Sequence, residues 1–213
     1  MNKITLEERV EKAFKEEKTK EFLKDYLESI QHAIQHADDR NRSSALTFIL
    51  LMIAFEFFSQ AIISEVSFGP FKFSNVEIIH KLLPILVTYY FFDFTIHFHN
   101  RAILRKLFRA IVHKNYRGLT ENNLEKYLIT FSNAVTFIPD SSDGVLNAIQ
   151  SLLAFLLIGM VYYLLPITFV IFSFMRLFTQ YSISDFFVWI SLFVSGIFMI
   201  QSYMVLFQNK DLA

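Results

Sequence analysis

Apolar positions in this chain gather into long runs that match neither a period of two nor a narrow helical stripe. Residues 46–55, 82–92, 152–175 and 186–200 contain no Asp, Glu, Lys or Arg. A helix needs about 20 mostly apolar residues to cross a hydrocarbon core of roughly 30 Å. Four stretches meet that length. The first runs from Ser44 to Ile63 and the second from Ile78 to Asn100. A third begins near Val145 and is still apolar at Met175, about 46 Å at 1.5 Å per residue, with Pro166 as its bending point. The fourth runs from Phe186 to Phe207. The expected fold is all-α: four transmembrane helices in two hairpins, plus cytoplasmic helices. The expected division is 1–43, a charged helical arm; 44–100, the first hairpin; 101–144, a basic amphipathic helical link; and 145–213, the second hairpin with a short tail.

Polar segments flank the spans. Residues 4–39 lack Pro and Gly, and Val10, Phe14, Leu23, Tyr26, Leu27, Ile30 and Ile34 form an intermittent apolar stripe on a helix. After the second span, Ile103, Leu104, Leu107, Phe108, Ile111 and Val112 recur at helical spacing among basic residues, a pattern suited to an anionic membrane surface. Gly118 interrupts it, and Thr120 is placed to cap a second helix carrying Leu124, Tyr127, Leu128 and Phe131. Pro139 to Gly144 is a turn signal.

Charge changes the picture through its placement, because the 20 cations and 20 anions cancel. Seventeen of the 20 Lys and Arg lie in the N-terminal arm, the middle link and the C-terminal tail. Only Lys72, Lys81 and Arg176 remain for the other side. The positive-inside rule then places both termini and the link in the cytoplasm, with a bacterial inner membrane as the site. Arg40, Arg42, Arg101, Arg105, Lys106 and Arg109 are the expected membrane-surface cations. The charged first forty residues show no signal-peptide pattern, so the first span is expected to direct insertion. The sequon at Asn41–Ser43 would face the cytoplasm. The chain has no cysteine, which excludes thiol redox chemistry and a disulfide scaffold. The 54% hydrophobic content, with 26 Phe, excludes disorder, and acids and aliphatics within the link argue against nucleic acid as a partner.

Candidate chemistry lies in polar groups at membrane depth, which are costly and usually face a bundle interior or a water path. Glu56 is expected near mid-depth, with Ser59 and Gln60 at i+3 and i+4. Asp93 has Tyr89 and Tyr90 one turn before it, His97 at i+4 and Asn100 at i+7. An Asp93–His97 pair suits proton sharing or pH gating. The same residues also suit plain packing, with Asp93 satisfied by His97 and Glu56 bonded to Tyr89 or Thr88. In the fourth span Ser184, Ser191, Ser195 and Ser202 fall on one face, as a helix-packing stripe or a pore-facing row. Asn147, Ser151 and Ala154 form a shorter stripe in the third. His32 and His36 have metal-compatible i, i+4 spacing without a third ligand. There is no Gly-rich phosphate loop. Arg109 and His113 are one residue too close for the arginine–histidine spacing of helical defence ribonucleases. No enzyme activity, cofactor or metal is expected.

The junction His36-Ala37-Asp38-Asp39-Arg40, followed by Asn41-Arg42-Ser43-Ser44-Ala45-Leu46, resembles the A-D-x-[KR] entrance of small bacterial antiphage membrane effectors of the Pycsar type. In four-span size the chain is also similar to membrane accessory proteins of defence operons, including CRISPR-associated membrane proteins. The resemblance implies an antiviral or stress-response membrane component that oligomerises and forms a pore, depolarises the membrane, or relays membrane disturbance to a cytosolic effector. It would place Asp38 and Arg40 at the corner between arm and membrane. The chain has no separate nucleotide-sensing domain, so the cyclic-nucleotide trigger does not carry over. The expected partners are the lipid bilayer, further copies of the chain, and a cytosolic effector bound through residues 1–40 and 101–143. Two alternatives stand beside this: a constitutive ion or proton channel using Glu56, Asp93 and His97, and a membrane anchor for a soluble enzyme.

Overall fold

The computed structural model describes residues 20–60, 66–68, 71–73, 76–116 and 164–208, together with Leu153, Leu156 and Met160. Four helices dominate: α1 (Lys20–Ser59), α2 (Val76–Asn115), α3 (Leu165–Gln180) and α4 (Phe186–Gln208). Between α1 and α2, strands β1 (Val66–Phe68) and β2 (Phe71–Phe73) pair antiparallel with Val66 opposite Phe73. This small hairpin is the one extended pairing among the described residues and was not expected. Several expected features lie outside the described residues: the arm before residue 20, the helix from Thr120 to Phe131, the Pro139–Gly144 turn, and the Asn147–Ser151–Ala154 stripe.

Helices α1 and α2 have 40 residues each, about 60 Å at 1.5 Å per residue, or twice a bilayer core. They pack antiparallel along their whole length. Ser59 meets His80 at one end, Ser44 meets Asp93 in the middle, and Asp38 meets Arg101 beyond it. Past Asp38, Ile30 and Ile34 interlock with Phe108, Ile111 and Val112 to form a two-helix stalk. The boundaries expected at 43/44 and 100/101 therefore fall inside unbroken helices, and no corner forms at Asp38–Arg40. The apolar face of the basic segment after residue 101 is spent on α1, so this segment continues α2 as one arm of the stalk and does not turn that face to a membrane surface.

The other halves of α1 and α2 join α3 and α4. Helix α2 is the hub, with α1 on one side and α4 on the other. One core cluster joins Phe48, Val87, Phe91, Phe94, Met199 and Leu206. A second joins Phe55, Leu83, Phe174, Leu177 and Val188. Pro166 lies in the first turn of α3, where its missing N–H costs no helix bond. Met160 and Leu164, just upstream, are in π-helical geometry, so regular α-helix begins at this proline.

Beside these apolar clusters, this half buries small hydroxyl side chains and turns large apolar ones outward. Ser191, Ser195 and Ser202 on α4, Thr88 and Thr95 on α2, and Ser173 on α3 are fully buried. Leu46, Leu50 and Ile53 on α1, and Phe193, Ile200 and Met204 on α4, face outward. Thr88 and Thr95 donate to helix carbonyls at Pro84 (2.8 Å) and Phe92 (2.7 Å), so neither hydroxyl needs a partner on another helix. Helices α1 and α4 are each long and apolar enough to cross a membrane. Only 22% and 28% of their most apolar stretches are buried, which separates them from core helices of a soluble protein.

The Ser191 and Ser195 hydroxyls make no hydrogen bond among the described residues, and their small size lets α4 approach α2. Ser191→Leu and Ser195→Leu should each cost roughly 1–3 kcal/mol by overpacking. The corresponding alanine variants, which keep the close approach, should be near neutral. Denaturant or thermal unfolding of the four single variants checks both halves of this expectation.

Candidate functional site

Polar side chains inside the bundle collect in two layers, one where the stalk joins the apolar half and one at the far end. The junction layer is carried by α1 and α2 alone. Asp38 pairs with Arg101, and both side chains are almost wholly buried. Arg105 Nη2 approaches the other carboxylate oxygen at 3.5 Å. Burial, and after it the neighbouring Arg101, push the Arg105 guanidinium below its ordinary pKa, with Asp38 opposing. Guanidinium groups stay charged regardless, so Asp38 is the buried counter-charge. About two turns further in, the Ser44 hydroxyl donates to Asp93, and His97 Nε2 lies 3.5 Å from the other Asp93 oxygen.

The far layer ties together all four helices. Glu56, in the last turn of α1, accepts from Gln60 Nε2 (2.9 Å) and from Arg176 of α3 (3.1 Å). Ser59 Oγ is 2.9 Å from His80 Nε2, and His80 Nδ1 is 3.1 Å from the Tyr181 hydroxyl. Gln180 donates to the Ser59 carbonyl at 2.7 Å, filling one of the acceptors left open where α1 ends. Lys81 is buried between Glu77 and Asp185, with its ammonium 4.3 Å from the centre of the Tyr181 ring. Asp185 also accepts from the Phe187 N–H at 2.9 Å and so caps α4. The Lys81 bond, chiefly, holds the Asp185 carboxyl below its usual range. Burial, followed by the nearby Glu77, raises the Tyr181 phenol.

Several expected sites take new positions in this geometry. Glu56 is one turn from the end of α1 and bonds neither Tyr89 nor Thr88; Arg176 and Gln60 take that place because the helix stops at Ser59. Asp93 and His97 do sit together. Their layer is separated from Glu56 by the 12 residues from Ser44 to Glu56, about 18 Å of helix, so the two carboxylates do not share a site. Tyr89 is 44% exposed and stacks edge-on against Phe198, away from both layers. Ser184 lies in the turn before α4 bonded to Ser182, outside the buried serine row. Of the expected surface cations, Arg40, Arg42 and Arg109 are exposed and Lys106 is half-buried. Arg101 and Arg105 turn inward instead, drawn by Asp38. His32 and His36 are exposed on the stalk, and no group of three His, Cys, Asp or Glu able to hold a metal occurs among the described residues. His80, Tyr181 and Asp185 were not singled out from sequence, and Lys81 was read only as one of three cations on the minority side. The Glu77–Lys81 i, i+4 pair at a span edge was the available signal.

No protein family, curated protein or solved structure matches this chain.

Removing one partner of a buried ion pair leaves an uncompensated charge, a loss of about 3–5 kcal/mol. Asp38→Ala should therefore destabilise by that order, and replacing Asp38, Arg101 and Arg105 together by Leu, Met and Met should recover most of it. Unfolding midpoints of the two variants decide the matter.

The far layer has its own pH signature. A depressed folded-state pKa adds stability that is complete above the ordinary aspartate value of about 3.9 and is lost as pH falls through the folded pKa. Asp185→Asn should thus lower stability near neutrality and flatten the acid limb of the stability profile, measured from pH 7 downward.

Proposed function

We propose that this chain is a non-enzymatic, multi-spanning inner-membrane protein that carries a two-helix cytoplasmic stalk and passes the state of its membrane bundle to a cytosolic partner. The observation that supports it is the continuity of α1 and α2. Each helix runs without a break from an apolar half, with its hydrocarbon side chains outward, into a stalk whose outer face carries Lys24, Glu28, His32 and His36. Hydrocarbon solvates the outward Leu, Ile and Phe, while the inward ion pairs and the Ser44, Ser59, Thr88 and Thr95 hydroxyls find protein partners that lipid cannot offer. The finer arrangement is four spans in two hairpins with both termini in the cytoplasm. Support comes from the cation count together with the far layer, where Lys81 is matched by Glu77 and Asp185 and Arg176 by Glu56. The antiviral or stress-response setting rests on the resemblance of residues 36–46. A conducting path draws less support, because Glu56 and Asp93 both have protein partners and lie in different layers.

The absence of native cysteine makes the topology directly testable. Single cysteines at Gln35 and Ser184 should label with an impermeant maleimide on opposite terms: position 184 in intact spheroplasts, and position 35 only after permeabilisation. Equal labelling of both in intact spheroplasts would refute the arrangement. A photo-crosslinker at His32 or Arg109 should then capture a cytosolic protein that one at Ile53 does not. Dye release from liposomes holding the purified protein alone would instead favour a pore.

A further inference from the structure

Helix α2 buries one side in the bundle and leaves the other open. Val87, Phe91 and Phe94 pack with Phe48 of α1 and Met199 and Leu206 of α4, and Leu165, Phe169 and Val170 of α3 close over the same cluster. Half a helical turn round, on the side away from α3, a second row runs Leu82, Leu86, Tyr89, Asp93, Ile96 and Asn100. Leu86, Tyr89 and Asn100 are exposed, and the other three are partly so. The steps along this row alternate between four and three residues, the 3.5-residue repeat by which one helix seams against another. Its chemistry does not suit lipid. The Asp93 side chain is 31% exposed, at a depth where ionisable groups are costly. One Asp93 oxygen accepts from Ser44; the other has His97 Nε2 at 3.5 Å, longer than an ordinary hydrogen bond. Among the described helices, α1 and α4 alone are long and apolar enough to cross a membrane by themselves, so α2 needs protein on this side as well.

We propose that this row is the interface between two copies of the chain, α2 against α2. The proposal rests on the membrane reading above. Copies inserted with one topology pair about an axis along the membrane normal, so their α2 helices run parallel and each position meets its equal at the same depth. Asn100 then faces Asn100 of the partner subunit, and a carboxamide, which both donates and accepts, is complementary to itself. The Tyr89 hydroxyl lies on the same row one turn before Asp93. Each copy thereby brings a donor towards the other's exposed carboxylate oxygen, which lipid cannot do. Polar residues within an apolar seam also fix its register. Asp93 and Asn100 stand seven residues apart, at the same position of successive heptads, and a second copy matches both at once. Helix α3 does not cover the row, because it packs on the opposite side of α2. The described residues leading into α3, Leu153, Leu156, Met160 and Leu164, are themselves exposed.

The test is disulfide trapping in native membranes, which a chain without cysteine permits at single positions. Under copper–phenanthroline oxidation, Leu82→Cys and Leu86→Cys should give linked dimers in at least tenfold higher yield than Leu50→Cys on α1 and Phe193→Cys on α4, which face outward elsewhere. Co-purification of two differently tagged wild-type copies in mild detergent measures association without any substitution in the bundle, and recovery of the second tag is expected. Dimers in the expected ratio support the proposal even where detergent separates the tagged copies. Absence of dimers from both row positions would overturn it, with or without co-purification, whether lipid or the chain's own residues 117–163 occupy the row. Dimers formed equally well at Leu50 or Phe193 would also overturn it, by moving the interface to another face. In each of these cases a chain that resists alkaline extraction keeps the membrane reading intact. Release of the chain by alkaline extraction would remove that reading and the proposal together.

Discussion

The structure depends on the register between its two 40-residue helices, and a carboxylate on each side of the interface, Asp38 buried and Asp93 half-buried, sets that register. Apolar ridges alone specify it weakly, since a slip of one turn replaces one Leu, Ile or Phe contact with another of similar worth. Polar contacts do not exchange in this way. Asp38 must meet Arg101, Asp93 must meet Ser44, and His80 must meet Ser59. A one-turn slip would strand the Ser44–Asp93 and Ser59–His80 pairs even in the direction that lets Asp38 meet Arg105, each at the cost of an unsatisfied polar group. Ion pairs of this kind add little net stability over an apolar replacement, and fixing register is their best-attested use.

With the register fixed, α2 presents a defined second face to α4. Ser191, Ser195 and Ser202 let that contact close tightly, with Phe91 and Phe92 against Tyr203 and Phe198. Helix α3 contributes most at the far layer, through Arg176, Gln180 and the adjoining Tyr181. Its opposite end parts from α4. The far layer therefore acts as the common anchor of all four helices, while the junction layer joins only two.

Much of the architecture was legible because long apolar runs and their flanking charges are properties of the chain itself. The four runs without charge mark α1, α2, α3 and α4, and continuation of the second span into the basic segment was readable from the spacing of Leu104, Leu107, Phe108 and Ile111. Pairings between helices were less accessible. Arg101 and Arg105 read as surface cations because a basic amphipathic helix has a membrane-facing use; only the approach of Asp38 from another helix turns them inward. Glu56 was expected at mid-span because the apolar run continues to Ile63; the helix ends at Ser59, which puts Glu56 in its last turn. Arg176 served only as one of three cations on the minority side, with nothing local to link it to Glu56, 120 residues away. The β-hairpin was signalled by Gly69-Pro70 between Val66–Phe68 and Phe71–Phe73, a turn dipeptide between β-formers that the surrounding apolar runs obscured.

The arrangement of layers also bears on how such a bundle can signal. An unbroken α-helix transmits rotation and translation along its axis, because deformation must break backbone hydrogen bonds. A change in the far layer that moves Glu56 or His80 relative to one another displaces α1 against α2. Helix α1 has no interior proline at which to bend, and in α2 Pro84 is the interior proline, between the far layer and the junction layer. At the junction layer Asp38 faces Arg101 and Arg105, two guanidinium groups one turn apart that both lie within reach of the same carboxylate. That spacing offers Asp38 two alternative partners about 6 Å apart along α2. A step of that size is the kind of discrete rearrangement by which packed helices switch, and it would re-pack Ile30 and Ile34 against a different turn of the stalk. The ion cluster that specifies the register is thereby also the element best placed to let it change.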